Sequence, residues 1–296
     1  MKILAKSFAK VNPRLKVLGQ LEDGYHELDI SFLSVNLADQ MTFEPSRTEE
    51  VSLSTEANIP PRKNLCYRAA QKLKDVCSTD RGATITLEKN IPIGGGLGGG
   101  SSNAATTLIC LNRLWNCRLS RRDLIEIGGE FGADVPFFFY GGYCVGSGKG
   151  ARLRKKENVF RDRLVPLLIP PFRQLTPEVY SKFDELTNSL DPDRSGETFL
   201  SPPELGNFTV QNDLQQATME LNPDLESYLT LLKSAATIET AGVAGSGSSL
   251  FGISRRDASL REIEAELEPG LSSISREAKL IITRPTNHGQ MVTEEG

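Results

Sequence analysis

Residues 90–108 read NIPIGGGLGGGSSNAATTL, and six of these nineteen positions are glycine. So much backbone freedom costs conformational entropy on folding, so the loop is expected to hold something. Upstream lies GATITLEKN (residues 82–90), where Ile85 and Leu87 alternate with Thr84, Thr86 and Glu88. That pattern predicts a half-buried strand with one wet face, as in an antiparallel sheet. Downstream, SSNAATTLICLNRLW (residues 101–115) places Leu108, Leu111 and Leu114 at helical packing spacing, and its Ser-Ser-Asn opening suits a helix N-terminus. Gly94, Gly96 and Gly99 satisfy G-x-G-x-x-G. A dinucleotide fingerprint, however, follows a fully buried parallel strand, and here the strand alternates and Pro92 interrupts the approach. A Walker-type loop fits no better, because Gly148-Lys149 is followed by Gly150 where Ser or Thr is needed. What remains is the shared physics. Glycine backbone can approach an anion closely and aim N–H groups at it, with the positive end of the next helix in support. The plain alternative is a flexible linker that holds nothing.

The remaining chain is that of an ordinary soluble globular protein, with 296 residues, 39% hydrophobic and 24% charged. A formal net charge of -4 offers no basic excess for neutralising a nucleic-acid backbone. The start, MKILAKSFAKVNPRLK, has a lysine or arginine every few residues, unlike a secretory signal. No apolar run approaches the roughly 20 residues that span a bilayer. The expected setting is therefore cytoplasmic, without nucleic-acid or membrane partners, as a monomer or weak homodimer. Five cysteines without a C-x-x-C pair read as reduced, mostly buried thiols.

Strands are expected at residues 2–12, 14–19, 26–37 and 40–45, then a helix over 63–77 with Leu65, Ala69, Leu73 and Val76 on one face. A second helix follows Ser120. Residues 133–150 read as a turn, an apolar strand and another glycine-rich connection. The charged stretch 152–163 suggests a domain boundary, giving domains at 1–157 and 158–285. Beyond it, strands are expected at 164–169, 240–244, 249–254 and 278–283, with helices at 176–186, 222–235 and 257–267. Residues 188–207 read as a surface loop, and 286–296 as a disordered tail.

Taken together, these segments resemble a known family. IPIGGGLGGGSSNAA is similar to the second motif, P-x-x-x-G-L-G-S-S, of the GHMP small-molecule kinases. FAKVNPRLKVLGQLEDGYHELD (residues 8–29), through A-K-x-N and D-G-Y-H, and GADVPFFFYGG (residues 132–142) resemble the 4-diphosphocytidyl-2-C-methyl-D-erythritol kinase family within that superfamily. AGSGSSLFG (residues 244–252) sits where the third superfamily motif belongs, and QNDLQ (residues 211–215) also recurs in these kinases. The resemblance implies a two-domain α/β (α+β) fold. A ribosomal-protein-S5-like N-terminal domain would meet a ferredoxin-like C-terminal domain across an active-site cleft.

It also implies the chemistry: ATP-dependent phosphorylation of the 2-hydroxyl of CDP-methylerythritol in the non-mevalonate route to isoprenoid precursors. Phosphoryl transfer needs positioning and charge neutralisation more than covalent help. By the match, Asp134 would take or steer the hydroxyl proton and Lys10 would stabilise the developing oxyanion, with Asn12 beside them. Tyr25 and His26 would recognise cytosine, an aromatic face for stacking and an imidazole for its hydrogen-bonding edge. Thr176 and Tyr180 would join them, and Gly245, Ser246 and Gly247 would wall the substrate diphosphate. For ATP, Gly94, Gly95, Gly96, Leu97, Gly98, Gly99, Gly100, Ser101 and Ser102 would wrap the phosphates, with Asn64 near adenine. Mg²⁺ is expected to offset phosphoryl charge, with the Ser102 hydroxyl as a candidate ligand.

The bland readings stand beside these. Asp134 could be a turn residue before Pro136, Lys10 a solvated strand residue like Lys2 and Lys6, and Tyr180 a core-packing helix residue. Pro13 and Arg14 after A-K-x-N, Glu22 before D-G-Y-H, and Ala151 after GKG depart from the family pattern. They leave the reacting groups in place and bear on substrate affinity and identity. Another GHMP kinase, for homoserine, mevalonate or a sugar, and a nucleotide-binding relative without turnover are the rival readings.

Overall fold

Pro13 splits the first expected strand pair in the sequence, yet the computed structural model joins both halves into one strand, β1 (Lys2–Gln20). The proline lacks an N–H, and the ladder to β2 (His26–Pro45) slips register between Val11 and Arg14, where the missing donor costs nothing. The structure describes residues 1–22, 24–57, 59–150, 152–187 and 208–295. The expected surface loop 188–207, Asp23 of D-G-Y-H and Ala151 lie outside them.

β1 and β2 form an antiparallel hairpin whose turn closes through Leu21 N–H on the Tyr25 carbonyl at 2.7 Å. After β3 (Val51–Thr55) and a 3₁₀ turn comes α1 (Leu65–Cys77), capped by the Asn64 side chain. Its buried face is Cys66, Ala69, Ala70 and Leu73; Val76, expected on that face, is 44% exposed. β4 (Ala83–Glu88) alternates in burial as its sequence predicts and pairs antiparallel with β2. Then follow α2 (Gly99–Leu114), α3 (Arg121–Gly129), α4 (Val135–Tyr140), β5 (Tyr143–Gly148) and β6 (Arg152–Lys156). Leu108, Leu111 and Leu114 of α2 pack into the first core as expected.

The apolar run at 135–140 corrects the sequence reading, which expected a strand. Pro136 fits the first helical turn, and Val135 to Phe139 are all buried, so no amphipathic period marks a helix. The strand begins only at Tyr143, after Gly141 and Gly142 turn the chain with φ of 59° and 75°.

The second half contributes β7 (Val165–Ile169), α5 (Thr176–Thr187), β8 (Gln211–Asn212), α6 (Gln215–Leu221) and α7 (Leu225–Ser234). β9 (Ile238–Val243), β10 (Leu250–Ser254), α8 (Leu260–Ile274), β11 (Lys279–Thr283) and β12 (Gln290–Glu295) complete it. Its antiparallel sheet runs β11-β7-β10-β9, with α7 and α8 packed on it. That is the order of a ferredoxin-like βαββαβ unit. The other sheet, eight-stranded among the described residues, runs β12-β1-β2-β4-β3, with β5 and β6 continuing from β2 and β8 alongside β1. The α+β class expected from the sequence holds. Among the described residues no helix is long and apolar enough to cross a membrane.

Two further expectations are overturned. The tail is ordered: β12 pairs Gln290–Glu295 with Ser7–Lys2, satisfying the edge of β1. Its alternation of exposed and half-buried residues is too polar to announce a strand, and only the waiting edge selects it. The cysteines are not all reduced, since Cys77 and Cys117 form a disulfide with Cα atoms 5.6 Å apart. The fold brings the end of α1 beside the turn after α2 across 40 residues, a proximity that spacing alone does not reveal. Cys66, Cys110 and Cys144 remain free and buried, and burial pushes each thiol up to about 12. Thiol titration of the native protein at about pH 8 is therefore expected to find no reactive cysteine, because too little thiolate forms. Unfolding should expose three and reduction a further two; a fast-reacting thiol in the native state contradicts this burial.

Candidate active site

Side chains two apart on a strand share a face, so β1 presents Lys10 and Asn12 together. The Lys10 ammonium, on a side chain only 4% exposed, donates to Asn12 Oδ1 at 2.7 Å and lies 3.2 Å from Asp134 Oδ2. Asn12 Nδ2 in turn donates to the Ser31 carbonyl at 3.1 Å, which fixes the amide with its oxygen toward the lysine. Asp134 stands at the N-cap of α4 but makes no side-chain capping bond, so its carboxylate, 34% exposed, is left for Lys10 and the cavity. The plain readings of both residues therefore fail, because Lys10 is not solvated and Asp134 does not serve the turn.

The glycine loop packs directly against this pair. The Lys10 N–H donates to the Leu97 carbonyl at 3.0 Å, and Leu97 is buried as the loop's anchor. At Gly98 (φ +71°) a Cβ would fall 2.9 Å from both Lys10 Cγ and Phe138 Cζ; at Gly96 (φ +74°) it would fall 1.9 Å from the Ala244 carbonyl oxygen. The second position locks the loop against the glycine turn of the other half. There a Cβ on Gly245 would lie 3.2 Å from Lys10 Nζ. α2 starts at Gly99 with Gly98 as a left-handed N-cap and no side-chain cap, so Ser101 and Ser102 lie inside its first turn instead of capping it. Its first N–H groups thus stay free of side-chain acceptors, as an anion site requires.

A cavity of about 1090 Å³ opens over these elements. It is lined by Lys10, Asn12, Asn64, Gly94 to Ser101, Asp134, Thr176, Tyr180, Gly245 and Ser246, and by the hairpin residues Tyr25 and His26. Ser102 and Gly247 do not line it. The Ser102 hydroxyl is fully buried and accepts from Ser7 Oγ at 2.7 Å, while Gly247 faces Thr218. Asn64 caps α1 by accepting from Cys66 N–H at 2.9 Å, which leaves its amide NH₂ to meet a ligand.

At the hairpin end, His26 stacks on Tyr180 with ring centroids 4.7 Å apart, and its Nε2 lies 2.7 Å from Asp184 Oδ1. Tyr25 is 60% exposed and carries the Lys149 ammonium 4.3 Å above its ring. Tyr180 both packs on the core and lines the cavity, so its two readings are not exclusive. Burial, with Asp134 and Asp184 nearby, pushes its phenol up, and it stays protonated. Thr176 Oγ1 meets Ser246 Oγ at 2.8 Å, tying α5 to the glycine turn.

Sequence reasoning missed Lys89, Asp184 and Asn212. Lys89 lines the cavity and pairs with the buried Asp39, which also accepts from Asn90 and Ile91 N–H at 2.8 Å and so holds the loop's entry. Asn212, inside QNDLQ, donates to the Val243 and Gly245 carbonyls at 2.9 and 2.7 Å. The usable signal for Asp184 was helical period, since 176, 180 and 184 share one face of α5. Among the departures, Arg14 pairs with Asp29 at 2.8 Å and Glu22 is exposed. Among the described residues no three His, Cys, Asp or Glu side chains gather as a metal cage. Gly96→Ala is expected to lower ATP affinity about tenfold or more, ~1.4 kcal/mol, because the new Cβ collides with backbone at a left-handed position. Calorimetric titration, with thermal unfolding as the folding control, checks this; unchanged affinity contradicts the interlock.

Residues 64–142 match the family model of the GHMP kinases N terminal domain. A 4-diphosphocytidyl-2-C-methyl-D-erythritol kinase of Pelotomaculum thermopropionicum is 34% identical over 296 residues, covering 97% of this chain and 99% of the relative. One from Syntrophus aciditrophicus is 37% identical over 273 residues, covering 91% and 96%. A crystal structure of a 4-(cytidine 5'-diphospho)-2C-methyl-D-erythritol kinase superposes with a TM-score of 0.74 at 29% identity, covering 96% of this chain and 99% of that one. A homoserine kinase from Cytophaga hutchinsonii reaches the same TM-score at 17% identity, a likeness of fold alone. With the glycine loop, the Lys10–Asp134 pair and the aromatic end already assembled in one cavity, these matches over nearly the whole length make the chain a member of the 4-diphosphocytidyl-2-C-methyl-D-erythritol kinase family of GHMP kinases.

Proposed function

We propose that this chain transfers the γ-phosphoryl group of ATP to the 2-hydroxyl of 4-diphosphocytidyl-2-C-methyl-D-erythritol, in the cytoplasm, in the non-mevalonate route to isoprenoid precursors. It acts on these small molecules without nucleic-acid or membrane partners, as a monomer or weak homodimer. The observation that carries the reading is the Lys10–Asp134 pair, 3.2 Å apart, between an uncapped glycine loop and an aromatic pocket. Those are the donor side, the reacting pair and the acceptor side of one reaction.

Asp134 accepts the substrate hydroxyl proton as the new O–P bond forms. Lys10 supplies positive charge to the alkoxide and to the transferred phosphoryl oxygens, aimed by Asn12. Gly94 to Gly100, with Leu97 as anchor, Ser101 and the N-terminus of α2, cradle the nucleotide phosphates, and Asn64 meets the adenine side. Tyr25, His26 and Tyr180 hold cytosine. Thr176, Gly245 and Ser246 line the diphosphate, with Gly247 shaping their turn from behind.

The two cavity carboxylates, Asp134 and Asp184, are already paired with Lys10 and His26, and no three ligating side chains gather among the described residues, which fits an ion that arrives on its substrate, as Mg²⁺ does on ATP phosphates. Mg²⁺ would be held there by the phosphates and by Ser101, which opens onto the cavity where Ser102 does not, and would offset phosphoryl charge.

The test is ATP consumption with Mg²⁺ and the cytidine substrate, run beside homoserine, mevalonate and galactose, for wild type and Asp134→Ala. The expected result is turnover of the cytidine substrate alone, with kcat falling about 10²- to 10⁴-fold in the variant. Preference for another alcohol overturns the substrate; ATP binding without any turnover overturns the reaction.

A further inference from the structure

Helix α5 places Thr176, Tyr180 and Asp184 on one face, four residues apart, and all three line the cavity. Thr176 is tied to Ser246, and Tyr180 is stacked under His26. That leaves Asp184, whose Oδ1 is 2.7 Å from His26 Nε2 on an imidazole only 9% exposed. A carboxylate only accepts, so the hydrogen at that contact belongs to Nε2. In the neutral ring Nδ1 is then an acceptor.

We propose that Asp184 is the positioning residue that fixes the tautomer and plane of His26, and thereby makes the site select a 4-amino over a 4-oxo pyrimidine. The inference rests on the cytidine reading above and adds the residue that enforces it. A ring nitrogen held as acceptor takes a hydrogen from an exocyclic amino group, as in cytosine. It meets a lone pair where uracil carries its oxygen, and an unmatched buried polar contact is costly. The Tyr180 face keeps the ring plane fixed, and Phe183 meets its edge at 6.3 Å, so the ring is confined from two more sides.

Two measurements decide the matter. His26 and His288 are the chain's two histidines, so ¹⁵N spectra of the ring nitrogens are readily assigned. In mildly alkaline buffer, wild type is expected to show His26 protonated at Nε2 with a pyridine-like Nδ1; the opposite tautomer overturns the proposal. Calorimetry with CDP and UDP, the nucleotide loop first saturated with a non-hydrolysable ATP analogue, supplies the second. Wild type should prefer CDP. Asp184→Ala should lose about tenfold in CDP affinity with the CDP/UDP ratio falling toward one, while the affinity for the ATP analogue stays within about twofold. Asp184→Asn, whose amide oxygen can still accept from Nε2, should recover part of the preference. An unchanged ratio in Asp184→Ala, or equal losses for both nucleotides, overturns the assignment. A wild type that prefers CDP through Asp184 yet turns over no cytidine substrate refutes the kinase reading and leaves this one standing.

Discussion

A buried ammonium organises this molecule. Lys10 is 4% exposed, and a cation so withdrawn from water is tolerable only when its hydrogens are taken and an opposite charge is near. Asn12 and Asp134 meet both demands, and each depends on a separate part of the chain. Asn12 needs the β1–β2 ladder, because Ser31 on β2 holds its amide. Asp134 needs α4, whose buried aromatic run, with Phe137 stacked on Phe32 at 4.8 Å, fixes the helix start where the carboxylate stands. The glycines follow from the same constraint, since a side chain at Gly98 or Gly245 would occupy space beside Lys10.

The two sheets are joined through that centre. β1 receives β12 along its first residues and β8 further on, so the chain returns to the first sheet once partway through the second, after β7, and once after completing it. Arg14 sits at the later seam, paired with Asp29 and donating to Gln211 at 2.6 Å. Asn212 then holds the Gly245 carbonyl, and Gly96 closes on Ala244 from the other side. The active cavity is therefore a product of both halves.

On the proposed reading, substrate selection rests on a different principle from phosphoryl transfer. The proposed phosphate end offers glycine-loop backbone and the Lys10 and Lys89 ammonium groups, which answer to charge and shape. The proposed nucleobase end offers the His26–Tyr180 stack and the His26–Asp184 contact. Tyr180 contributes area and rigidity, and its phenol is kept protonated by burial between two carboxylates.

Local chemistry was legible in the chain itself. The alternation of β4, the leucine spacing of α2, the Ser120 cap of α3 and the glycine loop are set by residues within a turn or two of one another, and all stand in the structure. Motif resemblance then singled out Lys10, Asp134, Tyr25, His26 and Tyr180, which the fold brings to one cavity. Tertiary structure alone decided the rest. The run at 135–140 is a helix whose residues Val135 to Phe139 are all buried, which erases the period that would announce it. The tail became a strand because an edge of β1 was waiting for it. Cys77 met Cys117, Asp39 met Lys89, and Asp184 met His26 across 158 residues. Such pairings depend on distance in space after the sheets have formed, and no local pattern of residues encodes that distance.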